Sequence, residues 1–120
     1  MSELHKPACA RIRLQPGSLP QARRWAQYIS EHRSEALQTL RAEGVTIESV
    51  FLESSEAGDF LVYYMRSESQ KKADAVAARS VADIDRYHQQ FKRETWVSAT
   101  RLELLLDLEL EPVTPYQTGD

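Results

Sequence analysis

A single cysteine, Cys9, stands among 120 residues, so no internal disulfide is possible and the fold needs no oxidising compartment. Basic residues are outnumbered, fifteen Lys+Arg against eighteen Asp+Glu for a net charge of −3. No surplus exists to draw the chain onto nucleic-acid phosphates or an anionic bilayer. The longest apolar run, Phe60–Met65, is six residues, where roughly twenty are needed to span a membrane. The opening MSELHKPACAR carries no hydrophobic leader. Also missing are the phosphate-cradling G-x-G-x-x-G and G-x-x-x-x-G-K-[ST] loops, the G-x-S-x-G nucleophile turn, and the metal spacings H-x-x-x-H, C-x-x-C and H-E-x-x-H. The expectation is a cytoplasmic protein with no cofactor, no metal, and neither a nucleic-acid nor a membrane partner.

What remains is an ordinary globular balance, 42% hydrophobic and 28% charged, distributed as a single domain over 1–120 with an ordered core at 8–111 and flexible termini. Ala10, Ile12 and Leu14 alternate with Arg11, Arg13 and Gln15, which predicts a strand over Ala8–Gln15 that Pro16-Gly17 ends. Ser18-Leu-Pro-Gln21 has the form of a capping box. Ala22, Trp25, Ile29, Leu37 and Leu40 then recur at helical spacing up to Gly44, predicting one continuous helix of roughly 24 residues.

Val45–Ser54 and Asp59–Arg66 read as a hairpin with apolar residues on both faces. Ser67-Glu-Ser-Gln70 caps a short helix, Val81-Ala82 breaks it, and Asp83 opens another through Tyr87 and Phe91. Arg101–Leu110, with leucine at every even position from 102 to 110, has the sharpest alternation in the chain and is the expected fourth strand. The order β-α-β-β-α(α)-β predicts an α+β, ferredoxin-like domain, a four-stranded antiparallel sheet with helices on one face. Apolar side chains left on the other face predict a homodimer packed sheet to sheet.

The stretches RIRLQPGSLPQARRW (11–25), LRAEGVTIESVFLE (40–53), GDFLVYYM (58–65) and DIDRYHQQF (83–91) resemble a bacterial family of unknown function, DUF6176. More broadly, the element order resembles the dimeric α+β barrel superfamily, which includes L-rhamnose mutarotases, antibiotic-biosynthesis-type monooxygenases and stress-responsive barrel proteins. The resemblance implies a cytoplasmic homodimer with a cavity between sheet and helices. In mutarotases a helix-one histidine, a tyrosine and a tryptophan pair surround the sugar. His32 stands for that histidine, but Arg86-Tyr87-His88 occupies the place of the tryptophan pair.

Acid–base chemistry near neutrality points first to histidine. His88, with Asp85 three residues before it to orient the imidazole, is the candidate catalytic pair. His32, Tyr28, Tyr63, Tyr64 and Trp96 are the candidate ligand contacts. Tyr63 and Tyr64 must point to opposite sheet faces, because the strand period is two. The functional expectation is a small organic ligand held between sheet and helices, with cofactor-free proton transfer; the alternative is a non-catalytic interaction module whose sheet face serves only dimerisation. Whether the protein is an enzyme is left open by the sequence.

Overall fold

The computed structural model describes residues 5–110. Its elements run β1 (Lys6–Leu14), α1 (Leu19–Glu31), α2 (Arg33–Glu43), β2 (Val45–Ser55), β3 (Gly58–Ser67), α3 (Gln70–Arg79), α4 (Asp83–Thr95) and β4 (Trp96–Arg101). The four strands form one antiparallel sheet in the order β2-β3-β1-β4. This is the ferredoxin-like arrangement of two interleaved β-α-β halves.

Register decides which side chains meet the helices. Ile12 lies opposite Leu61 and Ala10 opposite Tyr63, and Val50 flanks Tyr63 from the other side. These residues share the face that packs on α1 and α4, where Ile12, Leu14, Ala22, Trp25, Leu61, Tyr63 and Phe91 form the core. Near the start of β2 the register shifts between Val45 and Ile47. That bulge puts Val45 into the interior while Ile47 stays exposed.

The opposite face is less apolar than expected. Arg11 lays its guanidinium 3.7 Å from the Phe60 ring centre and forms an ion pair with Glu53 at 2.9 Å, so Phe60 is buried beneath charge. Phe51 is 62% exposed on this face, and Tyr64 lies beneath Arg66.

Three local expectations are corrected. First, the long helix is two: the chain breaks at His32 (φ −106, ψ 41), whose N–H is shared between the carbonyls of Tyr28 and Ile29. Second, Ser18 does not cap α1 with its side chain. Its hydroxyl donates instead to the Gln15 carbonyl at 2.7 Å, and Gln21 donates to Glu94. Third, the fourth strand is Trp96–Arg101 rather than Arg101–Leu110. The chain leaves α4 at Thr95 directly beside Leu14, so Trp96–Arg101 takes the free edge of β1. The last sheet-like bond is Leu102 N–H to the Cys9 carbonyl. Beyond it, 103–110 joins no strand, and Asp107 turns to Arg66 at 2.6 Å. The expected tail after Pro112 lies outside the described residues.

Gly44 closes α2 with φ +75. A β-carbon there would stand 3.2 Å from Glu68 Oε1 as well as occupy the left-handed region. Gly44→Ala should therefore lower stability by about 1–2 kcal/mol in urea melts; an unchanged midpoint would show that the turn tolerates a side chain.

Candidate functional site

Small residues face one another across the gap between sheet and helices. Ala8 and Ala10 on β1 and Ala99 on β4 meet Ala36 on α2 and Ala73 and Ala77 on α3. Methyl groups cannot fill that distance, and α2 buries none of its residues. A cavity of about 640 Å³ results, within the range of small-molecule sites.

One wall is aromatic. Trp25 on α1 stacks on Phe91 with centroids 4.7 Å apart and planes 5° from parallel. Its indole N–H donates to His88 Nδ1 at 3.1 Å. The accepting Nδ1 puts the imidazole proton on Nε2, so Trp25 rather than Asp85 sets the tautomer. Burial, helped by the Lys92 charge, pushes the His88 pKa down to about 4. At neutral pH His88 is an uncharged ring and a weak base.

Carboxylates share the lining with the cations Arg33, Lys92 and Arg101. Glu43, the last residue of α2, Glu48 on β2, Asp74 on α3 and Asp85 on α4 all line the cavity. Glu48 keeps much of its surface exposed, and the cavity it lines is partly open to solvent. Burial raises the Glu43 carboxyl to about 7, with Glu48, Asp85 and Asp74 adding repulsion and Lys92 opposing it. Burial also raises Glu48, against the pull of Lys92. Among the described residues, Glu43, Glu48, Asp85 and Lys92 form no ion pair within 4 Å. Among the described residues two side-chain polar atoms are buried without partners, the Tyr63 hydroxyl and the Trp96 indole N–H. Burial and then the Glu48 charge hold the Tyr63 phenol in its protonated form.

Of the residues singled out from sequence, His88, Asp85, Tyr63 and Trp96 share this cavity. Three do not. Tyr64 lies on the far face with Arg66. Tyr28 and His32 stack on each other at 4.0 Å, and His32 Nδ1–H donates to the Tyr28 carbonyl, fixing the helix break instead of the cavity wall. Sequence reasoning missed Glu43, Glu48, Trp25 and Lys92. Lys92 was findable, since it follows His88 by four residues and shares its helix face. Among the described residues no three His, Cys, Asp or Glu side chains converge as a metal-binding group, and no helix is long and apolar enough to cross a membrane.

The pH dependence follows from these environments. Glu43 binds its proton more tightly folded than unfolded, so its contribution is complete below about pH 4.5 and disappears as pH rises through 7. His88 has the opposite slope: its pKa is lowered on folding, so stability is lost as pH falls from 6.5 toward 4. Glu43→Gln should remove the first slope. Relative to the parent, it should gain on the order of 2 kcal/mol between pH 5 and pH 8, leaving the histidine rise against the opposing slope that Glu48 retains. Chemical denaturation across that range reads both. Parallel parent and variant profiles would place Glu43 in ordinary solvent.

No curated protein matches the chain. Among solved structures it is similar to an uncharacterised NIPSNAP-like domain protein from Burkholderia xenovorans, with 18% identity, TM-score 0.54, and coverage of 91% of this chain and 90% of that one. It is also similar to protein Atu4242 from Agrobacterium tumefaciens, with 15% identity, TM-score 0.51, and coverage of 90% and 98%. At these identities the likeness concerns fold alone, and the fold agrees. The family of unknown function DUF6176 matches over residues 5–115, nearly the whole length, and the chain belongs to that family.

Proposed function

We propose that this protein binds a small organic ligand in the cavity between sheet and helices, and that it works as a homodimer. The observation carrying the first part is the cavity itself, where charged groups lacking ion pairs line a space of about 640 Å³. Buried polar groups without partners are costly unless something satisfies them, and a bound molecule does so. Acid–base duty at neutral pH falls to Glu43, at about 7, instead of His88, because a proton-transfer group works best near the ambient pH. His88 serves as a neutral wall, fixed by Trp25.

Support for the dimer comes from the arm after β4. Asp107 and Glu109 are drawn to Arg66, and the leucines are left outward: Leu104 is 58% exposed, Leu106 73% and Leu108 82%. A row of exposed leucines of this kind belongs at an interface, and a second copy is the commonest partner.

A thermal-shift screen with a fragment library tests the ligand reading. Occupancy at about a hundred times Kd should stabilise the fold by about 2.7 kcal/mol, a shift of several degrees. Hits should quench the tryptophan emission, since Trp25 and Trp96 both line the cavity. A screen without any such hit favours the plain interaction module.

A further inference from the structure

We propose that the arm following β4 in one copy adds as a fifth strand to the open β2 edge of a second copy, setting its leucines beneath the partner's α2. The inference rests on the homodimer reading and names the surface that takes the arm. β2 is an outermost strand of the sheet, and among the described residues no backbone hydrogen bond reaches its outer side. Natural proteins ordinarily blunt such edges with lysine, proline or a bulge. VTIESVFLESS holds neither lysine nor proline, and past its bulge the ladder with β3 runs regularly from Ile47 to Ser55. The other edge, β4, offers only six residues.

The same chain carries a strand without a sheet. From Leu102 to Leu110 leucine alternates with mostly acidic residues, and among the described residues 103–110 makes no backbone bond. Its own β2 edge is out of reach. Asp107 and Glu109 both lie at Arg66 on β3, one strand short of that edge. Pro112 and Pro115, which cannot donate to a ladder, follow. A second copy supplies the edge, and the exchange is reciprocal about a two-fold axis.

Side-chain parity gives the orientation. Arg66 occupies the far face of the sheet with Tyr64, so the acidic side of the arm faces its own sheet and the leucines point away from it. When two such sheets pack far face to far face, the arm lies in the plane of the partner's sheet. Its leucines then emerge on the partner's helix side. That is where cover is missing. α2 buries none of its residues, its Leu37 is 44% exposed, and Leu52 on the helix side of β2 is 39% exposed. Leu37 and Val50 also line the cavity, so the partner's arm closes it along β2, and one chain alone holds an incomplete site.

Amide hydrogen exchange of the full chain, followed by NMR, tests the pairing, and sedimentation of the same sample reports the dimer. Alternate amides of an open edge strand point into water and exchange fast. The outward β2 amides should be protected in the parent and exchange at least about ten-fold faster after Leu104→Ser combined with Leu106→Ser, with β1 unchanged. In dimers mixed from labelled and unlabelled chains, arm leucine methyls should meet the partner's Leu37 and the partner's Leu52. That measurement is made on the parent and needs no variant. Contacts with the partner's Phe51 or with the partner's β4 instead overturn the β2 pairing and leave the dimer standing. So do outward β2 amides that exchange fast in a dimeric parent. A parent that sediments as a single chain overturns dimer and pairing together.

Discussion

Trp25→Ala is expected to lower the unfolding free energy by about 3–5 kcal/mol, a large part of the roughly 5–15 kcal/mol that a domain of this size possesses. The indole is buried between Phe91, stacked at 4.7 Å, and Tyr63, at 6.2 Å. It is also the donor that satisfies His88 Nδ1. Truncation removes the packing and enlarges an existing void. It also strands a buried acceptor. Trp25→Phe separates these losses: the ring remains and the N–H goes, so about 1–2 kcal/mol should be lost. Urea unfolding followed by far-ultraviolet circular dichroism measures both without relying on the deleted fluorophore. A loss under about 1 kcal/mol for Trp25→Ala would mean that α1 is held to α4 by something other than this stack.

The contrast between Trp25 and Glu48 shows what the sequence could and could not announce. Trp25 sits in a stripe with Ala22 and Ile29, so its burial was legible from spacing alone. β1 was legible from its alternation, and β2 and β3 from apolar stretches on either side of a polar, glycine-containing turn. Glu48 gave no such sign. A charged residue in a half-polar strand ordinarily faces water; Glu48 stays exposed, yet its register opposite Met65 puts it on the helix side of the sheet, where it lines the cavity. Such a cavity is a property of several elements at once and leaves no mark at any single position. The break at His32 is of the same kind: helix periodicity continues across it, and only the separate packing of α1 against α4 and α2 against α3 requires the turn.

The Arg101–Leu110 alternation was the sharpest strand signal in the chain, yet β1 accepts Trp96–Arg101 instead. Both facts agree if the pattern describes burial rather than pairing within one chain. Even positions from 102 to 110 carry leucine, and odd positions carry Glu103, Asp107 and Glu109 beside Leu105. With Asp107 held at 2.6 Å by Arg66, the acidic side is tied to its own sheet. The leucine side then has nothing of its own chain to cover it. Covering each leucine recovers about 1.5–3 kcal/mol.

Leu104→Ser combined with Leu106→Ser should therefore cost the dimer about 3–6 kcal/mol per arm, weakening its dissociation constant by at least a hundred-fold. Thermal stability of the isolated domain should change little, because neither leucine touches the core. Sedimentation equilibrium at micromolar concentration reads the outcome directly. The parent should weigh twice 13.7 kDa, and the double variant should approach the single mass. A parent that sediments as one chain removes the partner altogether; a variant that stays dimeric moves the interface off the arm and onto the sheet face around Phe51.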